Sequence, residues 1–310
     1  MLPASGAAAL TSAGGERPSP PVTTRPTTGP AAAPAGTLAP PEAKRVRALV
    51  VTLGDPDPDM ALWAIDALRD VGRDAVPYVI EGLRSPSASV RAGAARALGV
   101  LADPRALAHL ARALADGAKS VRVQAALAIG SLGRIDGLPH LVRALADRHR
   151  PVRANAALGI GQAIRLTRSG RKLTAAESAV VAAAVPALID TLGDTAPLVR
   201  GNAAISLGVT RDARALQPLS LAAHDKEPLV RASACHGLGD LGEKAAAGPL
   251  IPMLDDPDAT VRRSAIEGLE SITGLTLDYR AHASPAKRRA AVARWQAWWT
   301  RTRATLAPGS

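Results

Sequence analysis

The stretch SPSASVRAGAARALGVLADPRALAHLARALAD, residues 85–116, decides the fold, because the chain keeps returning to it. Its marker is a Val-Arg dipeptide, then a pair of small residues, then Leu or Ile followed by Gly. The dipeptide stands at Val90-Arg91, Val121-Arg122, Val152-Arg153, Val199-Arg200, Val230-Arg231 and Val261-Arg262, at spacings of 31, 31, 47, 31 and 31 residues. A degenerate copy, Met60-Ala61, precedes the first by 30. A fixed period of this length means a stack of like supersecondary units, and it outweighs any domain count read from chain length.

Each unit reads as two helices. Ser85-Pro86 signals a start, with Ser as N-cap and Pro at the first helical position. Val90, Ala94, Ala97, Leu98 and Leu101 then recur at helical spacing. Asp103-Pro104 stops this first helix and opens a second, whose inward stripe is Leu107, Leu110, Ala111 and Leu114. Asp116 closes the unit, and Asp116, Asp147, Asp194, Asp225 and Asp256 each precede a Val-Arg arginine by six residues. That position predicts N-capping, worth about 1 kcal/mol per helix. The same Arg and Asp residues could pair as a ladder, which if exposed would contribute only about 0–1 kcal/mol per pair. Pro77, Pro139, Pro186, Pro218 and Pro249 fall early in the second helices, where a missing N–H costs little.

Composition fits a stack without a large central core. There is no Phe among 310 residues, and Ala, Leu and Val supply the apolar surface. Each buried Leu or Val is worth about 1.5–3 kcal/mol. The lone Cys235 excludes an internal disulfide and takes a slot that Ala fills in other units, so it reads as a small buried residue. No run reaches the roughly 18–20 apolar residues of a membrane span. The formal charge of +11 is concentrated in three appendages: residues 1–47 and 163–178 carry net +3 each and residues 271–310 carry +6, leaving the repeats near neutral. That argues against a uniformly basic nucleic-acid face.

Residues 1–43 are rich in Ala, Pro, Gly, Ser and Thr and read as a disordered tail. Residues 44–272 form the repeat region, in which Lys44 to Gly54 reads as a terminal half-repeat helix. Residues 273–310 supply a closing segment and a basic, Trp-containing helix. No localisation signal is legible. The cytoplasm is the default, with export or envelope association the alternative if Met1 is not the true start.

The pattern of Asp, four variable residues, Val-Arg, small-small and Leu-Gly resembles the HEAT repeat superfamily, and in particular the short bacterial HEAT-like units also found in phycobilisome lyases. The resemblance spans about residues 55–270. It implies an all-α, right-handed α-α superhelix of HEAT/armadillo type, here with six complete helix pairs. It also implies that second helices line the inner face. It implies no single activity, since the family includes scaffolds and enzymes.

One interval breaks the period by 16 residues, between Arg153 and Arg200. The extra residues read as a basic loop, 164–173, carrying Arg165, Arg168, Arg171 and Lys172. Thr174-Ala175-Ala176-Glu177 then restarts a helix as a capping box. On the second helices, Arg105, His109 and Arg112 of one unit and His140 and Arg143 of the next lie opposite the Leu stripe. His109 and His140 are 31 residues apart, as are Arg112 and Arg143, so they should stack on neighbouring helices. These nine residues form the candidate surface for an acidic peptide or protein; the bland alternatives are a solvated helix face and a tolerated loop. In the closing helix, Val292, Trp295, Trp298 and Trp299 share a face that either covers the last repeat or forms a basic-aromatic membrane-surface helix. No catalytic, cofactor or metal motif is present. The expectation is a non-enzymatic, monomeric scaffold. The alternatives are a bilin lyase-like or tetrapyrrole-handling protein and, less favoured, binding of nucleic acid or an anionic surface through the basic loop and last helix.

Overall fold

The computed structural model describes residues 38–306, and the first 37 residues of the expected tail lie outside that range. The chain opens on α1 (Pro40–Thr52), so the helix starts inside the stretch expected to be tail. Six helix pairs follow. They are α2 (Pro58–Val71) with α3 (Val76–Gly82), α4 (Ala88–Leu101) with α5 (Leu107–Ala113), and α6 (Lys119–Ser131) with α7 (Leu138–Ala144). Then come α8 (Arg150–Arg168) with α9 (Ala175–Thr191), α10 (Pro197–Thr210) with α11 (Leu216–Ala222), and α12 (Pro228–Leu241) with α13 (Ala247–Met253). An unpaired α14 (Ala259–Thr273) and the closing α15 (Pro285–Arg303) end the fold. No strand occurs among the described residues. This is an all-α solenoid.

From α4 to α14 first helices pack against first helices, and small residues make that possible. A Cβ on Gly130 of α6 would lie 2.6 Å from the Cα of Gly159 in α8; one on Gly239 of α12 would lie 2.7 Å from the Cα of Gly268 in α14. Only glycine lets the backbones come this close. Leu98, Ile129, Ile160, Leu207, Leu238 and Leu269 occupy equivalent places in six units and are fully buried. Burying each one adds about 1.5–3 kcal/mol. Cys235 is likewise buried in its alanine slot.

The Val-Arg arginines do form a ladder, and it is shielded rather than exposed. Arg91 reaches Asp116, Arg122 reaches Asp147, Arg153 reaches Asp194, Arg200 reaches Asp225 and Arg231 reaches Asp256, at 2.6–2.8 Å. Each rung joins one unit to the next, across the 16-residue insertion as well. Nε and Nη2 grip the carboxylate together, while Nη1 donates to the carbonyl of the residue six back, as Arg200 does to Asp194. The carboxylate also accepts a backbone N–H two residues on, as Asp225 does from Glu227. The expected N-cap role therefore moves. The N-caps are Ser87, Ala118, His149, Ala196, Glu227 and Asp258. The ladder aspartates, and Ser85 in their place, sit two residues earlier and hold the turn.

Both ends of the ladder are closed. Arg262 has no further aspartate and donates to the carbonyls of Asp256, Pro257 and Ala281. At the start, α2 carries the degenerate copy, but Met60 is 41% exposed. The C-terminal end of α1 intrudes instead, with Leu53 against Gly93 of α4. Trp295 of α15 is fully buried and meets Trp298 edge-on, while Trp299 lies over Gly248 of α13. Trp295 and Trp299 cover the last pair, while Trp298 and Trp299 stay partly exposed.

Candidate functional site

Second helices meet their successors far more sparingly than first helices do. Clefts open between them: about 250 Å³ between α5 and α7, lined by Leu114, His140, Arg143 and Asp147, and about 340 Å³ between α7 and α9, lined by Val142, Leu145, Ala187 and Asp190. Arg112 and Arg143 stand in register near the ends of α5 and α7, are exposed, and meet no carboxylate among the described residues. They are the available cations of this face.

The two histidines add shape rather than charge. Burial first, then the neighbouring Arg112 and Arg84, pushes His109 below its usual range; burial and Arg143 do the same to His140. An arginine can only donate, so the 2.6 Å contact between Arg143 and Nδ1 of His140 requires that nitrogen to carry a lone pair. Arg84 is a contributor the repeat register did not flag, because the equivalent position in the next unit is Ala115.

Arg105 is structural. It grips Asp103 with two nitrogens and donates to the carbonyl of Arg73 in the previous unit. Arg214 repeats the device with Asp212 and the carbonyl of Ala182. The side chain thus fastens the turn between first and second helix to the unit before it.

The insertion is less of a loop than its composition suggests. Helix α8 runs on to Arg168 because its apolar spacing continues, with Ile164 and Thr167 buried and Thr167 bonded to the carbonyls of Gly133 and Ala163. The capping box at Thr174 is present, and α9 starts behind it, running over Pro186. Only residues 169–174 are loop. Arg165 pairs with Asp240 of α12 at 2.6 Å, reaching past the shorter α10. Arg168 donates to the carbonyls of Val209 and Thr210 at the end of α10, a favourable place for a cation. Arg171 pairs with Glu177, whose carboxyl is drawn down to about 2 by that arginine and by the N–H of Thr174. Lys172 is exposed.

The nine candidates therefore separate. His109, Arg112, His140 and Arg143 share the second-helix face. Arg165 and Arg168 instead line a cleft of about 350 Å³ at the ends of α8 and α10, and Arg171 lines another of about 320 Å³ beside the turn at Gly133. None of the insertion's cations lines the clefts between successive second helices. Cys235 is no nucleophile where it stands, since burial pushes its thiol up to about 12.

Residues 46–124, 185–270 and 219–295 match the family model for HEAT repeats, and residues 121–147 match that for the PBS lyase HEAT-like repeat. No curated protein matches the chain. Among solved structures, human deoxyhypusine hydroxylase in complex with glycerol is 22% identical, with 75% of this chain and 97% of that chain covered and a TM-score of 0.36. The complex of CpcE and CpcF of phycocyanin lyase from Nostoc sp. PCC7120 is 19% identical, with 88% and 99% covered and a TM-score of 0.46. An engineered protein is 19% identical, with 83% and 78% covered and a TM-score of 0.49. At that distance none of them assigns a function.

Proposed function

The chain belongs to the HEAT repeat family, and from its geometry we propose that it is a non-enzymatic scaffold binding an acidic peptide or protein segment along its second-helix face. One observation carries this reading. Arg112 and Arg143 stand one unit apart, exposed and without a carboxylate, beside clefts that open between successive second helices. An extended acidic segment laid across α5 and α7 would meet one guanidinium per unit, each capable of bidentate carboxylate recognition. The partly apolar clefts would take intervening side chains. His109 and His140, kept neutral, add hydrogen-bonding capacity without repelling the arginines.

The insertion enters this reading as a brace. Its arginines are engaged with Asp240, Glu177 and helix-end carbonyls, leaving Lys172 as its available cation.

A second reading has its own support: the stretch matched by the PBS lyase HEAT-like repeat, residues 121–147, contains His140 and Arg143. On that reading the same face handles a bilin, whose propionates would need cations. One experiment separates the two. Immobilised acidic peptides are offered to the full chain and to the double variant Arg112→Glu/Arg143→Glu, with far-UV circular dichroism as the control. The scaffold reading expects capture by the wild type and loss in the variant at unchanged helicity. Retained capture removes this face, and a shift in bilin absorbance on mixing, without peptide capture, transfers it to the second reading.

A further inference from the structure

The first helices also have an outward side, and its middle is poor in charge. Residues 123–133 of α6 and its end, 154–164 of α8 and 201–210 of α10 contain no ionisable side chain. This central face exposes aliphatic groups: Leu158 is 39% exposed, Leu198 55% and Leu229 51%. Three of its amides are turned onto the protein itself. Asn155 donates to the carbonyl of Pro151, Asn202 to that of Ala154, and Gln162 to the hydroxyl of Ser131.

One row of equivalent positions crosses this face, one residue per first helix: Arg96, Leu127, Leu158, Ile205, His236 and Glu267. The row is uncharged in the middle, basic at one end and acidic at the other. Arg96 is exposed and meets no carboxylate among the described residues. Glu267 is held only by Arg263, at 4.0 Å, and is itself 58% exposed. Turned end for end, the row lays Arg96 on Glu267 and Leu158 on Ile205. Because a two-fold contact uses the same patch twice, each such pairing occurs twice.

We propose that this first-helix face is the contact between two copies of the chain, related by a two-fold axis between α8 and α10. The charge pattern selects a second copy over an unrelated partner. The middle of the row is uncharged and the ions beside it are paired, Arg165 with Asp240 and Arg134 with Asp136, so no unpaired ion is buried, and opposite charges equidistant from the centre are what self-pairing requires. His236 falls opposite Leu127 and is half-exposed beside Asp240. The second-helix face stays free in such a dimer, so partner binding and pairing can be broken separately.

Sedimentation or light scattering of the full chain across about 1–100 µM, a range set by ordinary protein-protein affinities, gives the mass. The expected value at the upper end is twice 31.7 kDa. Leu158→Asp should give a single-chain mass at unchanged helicity. Arg96→Glu and Glu267→Arg, both at exposed positions, should each weaken the dimer about tenfold or more by setting like charges opposite one another. Their combination should recover it. A single-chain mass throughout the range, an Leu158→Asp protein as dimeric as the wild type, or a double variant no tighter than the singles would each overturn the proposal. If Leu158→Asp fails to fold, the charge-swap pair decides alone.

Discussion

The two helices of each unit share one period yet meet their neighbours in different ways. First helices touch through glycine and alanine, with Gly130 against Gly159 and Gly239 against Gly268 leaving no room for a methyl group. Second helices are short, seven residues in five of the six pairs, and stand apart over clefts of 250 and 340 Å³. Rigidity and adaptability are thus assigned to opposite sides of the same repeat. The first-helix layer is a spine, where any added atom displaces backbone. The outward side of the second-helix layer is a surface, where side chains can change without the stack noticing, while Leu110, Leu141 and Leu219 face inward and are buried. The arginine ladder belongs with the spine, because each rung ties one unit to the next.

That division is most severely tested at a rung. Arg200 and Asp225 have side chains only 9% and 15% exposed, and their contact is bidentate. Arg200→Met keeps the aliphatic stem but leaves Asp225 shielded and unpaired. Breaking a buried pair from one side costs about 3–5 kcal/mol, and with residual exposure about 3 kcal/mol is expected. The urea midpoint measures it. A loss under about 1 kcal/mol, the value of an exposed pair, would show that the rungs are ornament and that glycine packing alone makes the spine.

Acid is the milder version of the same test, since protonation leaves a carboxyl that still hydrogen-bonds. Asp116, Asp194 and Asp225 are held below the usual carboxylate range first by the arginine hydrogen bond, with burial opposing it. A depressed folded pKa contributes stability that is fully present above the unfolded value of about 3.9 and is lost as pH falls through the folded value. Stability should therefore hold down to about pH 4 and decline below it, more steeply than in Arg200→Met, which has one rung fewer to lose. Equal acid slopes in the two proteins would detach the ladder from acid unfolding.

The stack was legible because period and helix signals agree at every unit: Val-Arg, the small pair and the Leu-Gly recur where one face must be buried. The rungs were half legible. Arg and Asp spacing announced a possible pairing, but shielding depends on how closely units approach, which no single unit encodes. Cap positions slipped by two residues because a short turn lets an aspartate bond the N-cap amide instead of serving as the cap. The basic insertion misled in another way. Composition marked Arg165, Arg168 and Arg171 as surplus charge, yet Asp240 and the carbonyls of Val209 and Thr210 come from elsewhere in the stack, and Arg171 turns onto Glu177 of the adjoining capping box. Met60 shows the reverse: its place in the register was right, but α1 intrudes where tight packing would have buried it.

The smallest expected effect lies on the other side of the comparison. Leu221 of α11 is 75% exposed and occupies the place of Arg112 and Arg143 in its own unit. Leu221→Ser removes an apolar side chain that contacts mainly water, and serine is slightly poorer than leucine in a helix. The loss should stay within about 0.5 kcal/mol, the usual range for a surface position without special contacts. The measurement is again the urea midpoint, on the same scale as the rung variant. A cost above about 1 kcal/mol would mean that second helices share packing across the clefts. The surface would then be part of the spine, and a partner bound there would have to deform the stack to be accommodated. A cost near zero leaves the second-helix face free to vary in sequence while the first-helix layer holds the fold, the arrangement a peptide-binding scaffold needs.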